Sequence, residues 1–276
     1  MYEASLPGTQ TMKRNRQGLP TKDKAEVGFF SNGSSTLCVQ GTRIRMHKTI
    51  GLLGGLSPES TATYYEYITR TYLERYGDHS YPQMIIYSVN FQQFMDWQAR
   101  GRWDEISRKM IEAMESMHSA GADFGLIATN TMHYVFDEVQ EASPMPLISI
   151  VDAAVEAVRN QGLKKVGLLG TKFTMSQSFY SDRLTEEGIE VMVPGQSQQE
   201  VVNRIIYEEL AHGQFRQDSR KTMVRIVKWL EGKGCEGVIL GCTEIPLLIT
   251  QEHCGICLFD TCIIHAEKAL NWAVRP

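Results

Sequence analysis

The sequence predicts an α/β protein of two pseudo-symmetric lobes, each a parallel sheet flanked by helices; where these face each other, Thr129 and Cys242 are candidates to meet. Three observations carry this. Apolar runs of strand length alternate with amphipathic helical stretches from residue 49 to residue 273, the pattern of parallel sheets covered on both faces. The stretch Gly121-Ala122-Asp123-Phe124-Gly125-Leu126-Ile127-Ala128-Thr129-Asn130-Thr131 aligns without gaps on Gly234-Cys235-Glu236-Gly237-Val238-Ile239-Leu240-Gly241-Cys242-Thr243-Glu244. Each opens on Gly, carries an acid two residues later, and runs through apolar residues to Thr129 or Cys242. Finally, Gly51-Leu52-Leu53-Gly54 recurs as Gly167-Leu168-Leu169-Gly170 at nearly the same offset. A shared offset of that length points to two similar halves rather than a short-period solenoid. Chance likeness of buried parallel strands is the competing explanation.

Composition bounds the class. A chain of 276 residues has room for one large or two modest domains. Its 42% hydrophobic and 22% charged residues are those of an ordinary globule. A net charge of −4 gives no bulk electrostatic case for nucleic acid. No apolar run approaches the roughly 18 residues of a membrane span. Of the cysteines, only Cys38 stands apart; Cys235, Cys242, Cys254, Cys257 and Cys262 crowd the end of the chain. That is no disulfide framework, and we expect free thiols in a reducing, cytoplasmic setting.

Taken in order, residues 1–45 differ from the rest. They carry Lys13, Arg14, Arg16, Lys22, Lys24, Arg43 and Arg45 against Glu3, Asp23 and Glu26, with no periodicity. They read as a disordered tail or a non-native extension, with Met46 a natural start; an organellar transit segment is the other reading. A strand over 49–53 leads into Gly54-Gly55-Leu56-Ser57-Pro58. Ser57 is placed as the N-cap and Pro58 as the first residue of a helix over 59–76. Backbone N–H groups of that turn are suited to hold an anion such as a carboxylate. The glycine spacing does not meet the dinucleotide-binding fingerprint. A strand over 84–89 is followed by a loop, where binding residues commonly sit, and Gln98 lies just beyond. A helix over 103–119 stops at Ala120-Gly121. A strand over 124–128 then ends in Thr129-Asn130-Thr131-Met132-His133, before a helix over 134–141 and a strand over 147–150.

The second half repeats the plan. Helix 152–161 and strand 166–169 lead to Gly170-Thr171; helix 178–187, strand 189–193 and helices 199–212 and 219–231 follow. The strand Gly237-Val238-Ile239-Leu240 ends at Gly241-Cys242-Thr243-Glu244. A strand over 258–261 and a helix over 262–273 close the chain. The lobes are therefore expected to be 46–147 with 256–276, and 148–255.

Open parallel sheets hold ligands at the carboxyl ends of their strands. Cys242 stands at such an end beside a hydroxyl and a carboxylate. It is either a buried structural thiol or a base and nucleophile whose pKa a following helix N-terminus would lower. Thr129 occupies the matching place, but an alcohol yields its proton far less readily and needs a base. His133, four residues on, is either that helper or a packed imidazole. Asn130 and Thr131 offer hydrogen bonds to a carboxylate or amine, or cap the next helix. Cys254-x-x-Cys257 with His253, Cys262 and His265 does not follow zinc spacing, and no metal is expected.

The motifs Gly51-Leu52-Leu53-Gly54-Gly55, Thr129-Asn130-Thr131-Met132-His133, Gly241-Cys242-Thr243-Glu244 and Phe259-Asp260-Thr261 together resemble the aspartate/glutamate racemase family over about residues 47–274. The resemblance implies a cofactor-independent amino-acid racemase with its active site in the cleft between two lobes, in which one base removes the α-proton and another returns it on the opposite face. Most members carry a cysteine in each lobe. The Thr129–Cys242 pair is similar to a broad-specificity subgroup that pairs Thr with Cys, and by that likeness these two are the acid/base pair. Gln98, Asn130, Thr131, Thr171, Thr243, Glu244, Leu56 and Ser57 would bind the substrate. A homodimer is implied; nucleic-acid and membrane partners are not. Aspartate-selective relatives use an Arg and a Lys whose places here fall near Phe94 and at Ala211. The missing cations imply weaker grip on an acidic side chain, and the alcohol implies slower turnover where Thr129 must abstract. Superfamily relatives that decarboxylate malonates, isomerise maleate or racemise hydantoins give alternative reactions, and a non-catalytic two-lobed binder is a third reading.

Overall fold

The computed structural model describes residues 47–275, together with the backbone of two short paired strands, β1 (Thr36–Val39) and β2 (Thr42–Arg45). These two are antiparallel, so part of the stretch expected to lack structure is strand. The rest of the expectation for 1–45 lies outside the described residues.

Two four-stranded, wholly parallel sheets follow. The first holds β3 (Ile50–Gly54), β4 (Met84–Ser88), β5 (Phe124–Ile127) and β6 (Leu147–Ile148), in the order β4-β3-β5-β6. The second holds β7 (Lys165–Gly170), β8 (Glu190–Met192), β9 (Gly237–Gly241) and β10 (Cys257–Asp260), in the order β8-β7-β9-β10. The sheets have one topology, and the sequence repeat maps strand on strand: β3 on β7, β5 on β9.

The repeated Gly-x-acid has a structural cause. Gly121 and Gly234 have φ of 102° and 86°, the left-handed region that favours glycine. Each turn aims its acid back at the neighbouring strand. Asp123 accepts from the Thr49 N–H (2.6 Å) and Glu236 from the N–H groups of Lys164 (2.5 Å) and Lys165 (3.0 Å). Those bonds hold the Glu236 carboxyl below its usual range. The acids thus set the register of β3 with β5 and of β7 with β9.

Helices cover both faces of each sheet. α1 (Pro58–Tyr76) begins as expected, with Ser57 as its cap and Pro58 in its first turn, and ends at Gly77 in the left-handed region. α2 (Phe91–Ala99) occupies what the sequence suggested was a loop; Asn90 caps it, and the Asn90 side chain accepts from Gln93 N–H (3.2 Å). α3 (Trp103–Ser119) follows, then a 3-10 turn over Thr131–Val135 and α4 (Phe136–Ala142). In the second half come α5 (Ile150–Asn160), the short α6 (Lys172–Ser176), α7 (Phe179–Glu186) and α8 (Gln196–Glu208). A 3-10 turn over Leu210–His212, α9 (Gln217–Gly232), α10 (Ile245–Leu248) and α11 (Thr261–Ala273) complete the chain. Among the described residues no helix is long and apolar enough to cross a membrane.

The lobes exchange their last helices. α5 follows a strand of the first sheet, yet its Ile150, Val151, Ala154 and Val158 pack under β7 with Tyr180 and Leu184. α11 follows a strand of the second sheet, yet its Ala266, Ala269 and Leu270 pack with Tyr64, Ile68 and Tyr72 of α1 on the first. The expected lobe boundary is corrected at one strand. β10 was grouped with the first lobe, but it pairs with β9, because Phe259 fills the space left by Gly237 in the second core.

Candidate active site

Thr129 and Cys242 stand at equivalent strand ends. After β5 a tight turn, in which the Thr129 N–H donates to the Ile127 carbonyl (2.8 Å), presents Thr129. β9 runs to Gly241 and Cys242 follows directly. Both line one cleft. Its floor is polar: Thr129, Asn130 and Thr131 from the first lobe, Thr171, Cys242, Thr243 and Glu244 from the second. Its outer wall comes from two helices in matching positions, each following the second strand of its sheet. α2 gives Phe91 and Gln98; α8 and the turn after it give Ile206, Tyr207 and Ala211. Leu56 and Met132 complete the lining.

The Cys242 thiol donates to Glu244 Oε2 at 2.9 Å. Burial pushes the thiol pKa well up, and the Glu244 charge and the hydrogen bond to it add to the rise. The N–H groups of Glu244 and Ile245 pull the other way and lose. This overturns the expected lowering: α10 is only a four-residue helix, and a carboxylate sits beside the sulfur. Cys242 is a protonated thiol with a built-in proton acceptor.

Glu244 belongs to a network that joins the lobes. Its Oε1 accepts from the hydroxyls of Ser57 and, more weakly, Ser60 (3.4 Å); its Oε2 accepts from Thr243 (3.2 Å) as well as Cys242. Ser60 also donates to Thr243 (2.5 Å). The anion at the N-terminus of α1 is therefore the chain's own carboxylate, a position the helix dipole favours. Ser57 is accordingly corrected as a substrate ligand. It does not line the cleft, because its hydroxyl is spent on Glu244, on the Ser60 N–H and on the Ser60 hydroxyl.

Thr129 has the opposite surroundings. Among the described residues its hydroxyl has no hydrogen-bond partner. His133 is not its helper. His133 Nδ1 donates to the Thr129 backbone carbonyl (2.7 Å), and Nε2 accepts from the Ile150 N–H (3.0 Å). Both ring nitrogens are spent, and burial lowers the imidazole pKa to about 3. His133 positions the strand end and leaves the proton of Thr129 alone.

Asn130 is similarly engaged. It donates to Thr261 (3.0 Å) and accepts from Tyr180 (2.5 Å), which ties the two lobes beneath the cleft. Thr131, Thr171 and Thr174 form a hydroxyl triad across the lobes, with separations of 3.0–3.3 Å. The side chains of Gln98 and Tyr207 make no hydrogen bond among the described residues and are open to a ligand. Burial, then the Cys242 and Glu244 charges, push the Tyr207 phenol up to about 12, so it remains a neutral hydroxyl.

All the sequence-predicted site residues except Ser57 line the cleft. Sequence reasoning missed Phe91, Ile206 and Tyr207 as lining and Ser60 as a partner of Glu244. The signal for the first three lay in the repeat, since α2 and α8 are matching elements. Ser60 is one helical turn past the cap. Among the described residues no three His, Cys, Asp or Glu side chains converge in a metal-like group.

Residues 53–269 match the family described as Asp/Glu/hydantoin racemase. The broad specificity amino-acid racemase RacX of Bacillus subtilis is 26% identical over 227 residues, covering 80% of this chain and 96% of that protein. A crystal structure of an aspartate racemase homologue from Pyrococcus horikoshii OT3 superposes with a TM-score of 0.73 at 42% identity, over 83% of this chain and 100% of that one. The Picrophilus torridus aspartate racemase shares the fold, with a TM-score of 0.69 at 22% identity over 82% of this chain and 94% of that one. Relatives so named are racemases, a class of isomerase. With its duplicated sheets, its cleft at their carboxyl ends and a family match across most of its length, the chain belongs to the Asp/Glu/hydantoin racemase family.

Proposed function

We propose that the protein is a cofactor-independent amino-acid racemase that uses Cys242 and Thr129 on opposite faces of the α-carbon. One observation carries this reading: the two groups stand at matching ends of β5 and β9 and line the same cleft, with the thiol bonded to a carboxylate. In the forward step Glu244 takes the thiol proton, and the thiolate removes the α-proton of the enantiomer that faces it. The Thr129 hydroxyl returns a proton to the other face. The proton on Glu244 then restores Thr129 through solvent, which closes the cycle. Asn130, Thr131, Thr171 and Thr243 form the polar floor that receives the α-carboxylate and α-ammonium groups.

The test is solvent deuterium incorporation at the α-carbon of L- and D-amino acids. Cys242→Ser is expected to lose exchange at the enantiomer facing that residue. Thr129→Ala is expected to abolish racemisation while exchange with retained configuration continues at that same enantiomer. Thr129→Cys is expected to raise activity. Absence of exchange with every amino acid would sink the racemase reading, and exchange surviving in Cys242→Ser at the enantiomer facing that residue would sink that assignment.

A second reading rests on the unassisted Thr129 hydroxyl. A single activated thiol suits one-sided protonation, as in a decarboxylase of the same superfamily. Proton uptake at one face of a malonate-derived carbanion, with no exchange at any amino acid, would favour it.

A further inference from the structure

With the α-carboxylate and α-ammonium groups on the polar floor as proposed above, the side chain of a substrate meets the outer wall of the cleft. Five residues make it: Phe91 and Gln98 from α2, and Ile206, Tyr207 and Ala211 from α8 and the turn that follows. Three are apolar and two are neutral and polar. The last two, the Gln98 amide and the Tyr207 hydroxyl, are the ones with no hydrogen-bond partner among the described residues. Among the described residues no Lys, Arg or His lines the cleft. Among the described residues that line it the one charged type is Glu244, which is buried, lies at the floor and is held by Ser57, Ser60, Thr243 and Cys242.

An amino acid with an uncharged side chain enters this cleft as a net-neutral zwitterion. Aspartate or glutamate brings a further negative charge into a partly desolvated space that already holds Glu244 and offers that charge no cation. Desolvating an unpaired carboxylate beside a like charge is costly. A cationic side chain fares no better at the wall, where no carboxylate meets it; the oxygens of Glu244 are already shared among four side chains.

Resting on the racemase reading above, we infer that the substrate is an amino acid with an uncharged side chain, selected by the neutral wall of Phe91, Gln98, Ile206, Tyr207 and Ala211. The Gln98 amide and Tyr207 hydroxyl favour a side chain with a hydrogen-bonding group over a purely aliphatic one.

The experiment measures kcat/KM for α-proton exchange in D2O with the full chain, over alanine, serine, methionine, glutamine, aspartate, glutamate, lysine and arginine. The best neutral amino acid is expected to exceed both acidic ones by at least about tenfold, the ratio that roughly 1.4 kcal/mol produces. Aspartate or glutamate as the best substrate overturns this inference and leaves the racemase reading standing. Lysine or arginine as the best substrate overturns it equally. No exchange with any of the eight sinks the racemase reading itself. Two separate variants test the wall from opposite lobes, Gln98→Arg and Ala211→Lys. Each is expected to shift the acidic-to-neutral kcat/KM ratio at least about tenfold toward the acids. A ratio unmoved in both variants, each folded by circular dichroism, overturns the role of the wall.

Discussion

At the scale of residues, the decisive fact is the inequality of two groups in matching places. Cys242 bonds to Glu244, whereas the Thr129 hydroxyl has no base beside it among the described residues. The sequence made both residues legible, because a repeat places them at equivalent strand ends. It did not make their environments legible. The partners of Glu244 include Ser57 and Ser60, far away in sequence, and a sequence pattern carries no burial energy, so the expected lowering of the thiol pKa had the wrong sign. Because enantiomers have equal free energies, kcat/KM is the same in both directions of a racemase, and the inequality must appear in kcat and KM separately. It also appears in exchange without inversion. Replacing Glu244 by Gln removes the acceptor for the thiol proton. Exchange with retained configuration at the enantiomer facing Cys242 is expected to fall about 10²-fold, the usual contribution of a positioned base. An unchanged exchange rate in Glu244→Gln, measured by NMR in D2O, would leave Glu244 a purely structural link between the lobes.

At the scale of elements, strand-terminal glycines are where sheet and helix come closest. A Cβ on Gly170 would lie 2.8 Å from the Gly241 carbonyl oxygen and 3.1 Å from Thr174 Cβ. A Cβ on Gly54, its repeat partner, would lie 2.5 Å from Thr61 Cγ2. Both glycines therefore recur for a packing reason. The long, periodic elements were legible for the same kind of reason: α1, α3, α9 and α11 begin and end within two residues of their expected limits. Two shorter helices were not. α6 has five residues, too few to show a period, and no element is expected there; α2 is hidden by an apolar, glutamine-rich stretch whose helical face shows only once Phe94 is seen in the core. The swapped helices were beyond a local reading, since periodicity reports which face is apolar and is silent on which sheet covers it. Gly170→Ala is expected to cost about 1–3 kcal/mol, because the clash is with backbone rather than a flexible side-chain tip. Chemical denaturation would measure it. A variant as stable as the parent would mean that β7 and β9 can part at no cost.

At the scale of the whole molecule, the lobes are coupled through the crossing of α5 and α11, and two imidazoles sit at that crossing. His133, from the end of the first lobe's third strand, accepts from the Ile150 N–H at the start of α5 (3.0 Å). His265, on α11, bonds to the Ile148 carbonyl (2.8 Å) and to the Tyr64 hydroxyl (2.7 Å). The two rings meet edge to face at 6.2 Å between centroids. Burial is the main cause that lowers the His133 pKa to about 3 and the His265 pKa to about 4, against an ordinary 6.5. In the unfolded chain both rings take up protons as pH falls below their ordinary value, while in the folded chain they stay neutral until about 3 to 4. The stability these rings confer is therefore fully present above pH 6.5 and drains away as pH drops through the window down to their folded values. At about pH 5 each ring should have given up about 2 kcal/mol. Because both hold the joint between lobes, the loss should appear as one cooperative transition moving down, on the order of 10 °C in Tm between about pH 7.5 and pH 5. Asp260, whose carboxyl burial holds above its usual range, opposes this loss as pH falls. Differential scanning calorimetry across that range checks the expectation. A constant Tm would mean that the rings are solvated or protonated in the folded protein, and two transitions separating as pH falls would mean that the exchanged helices do not bind the lobes into one unit.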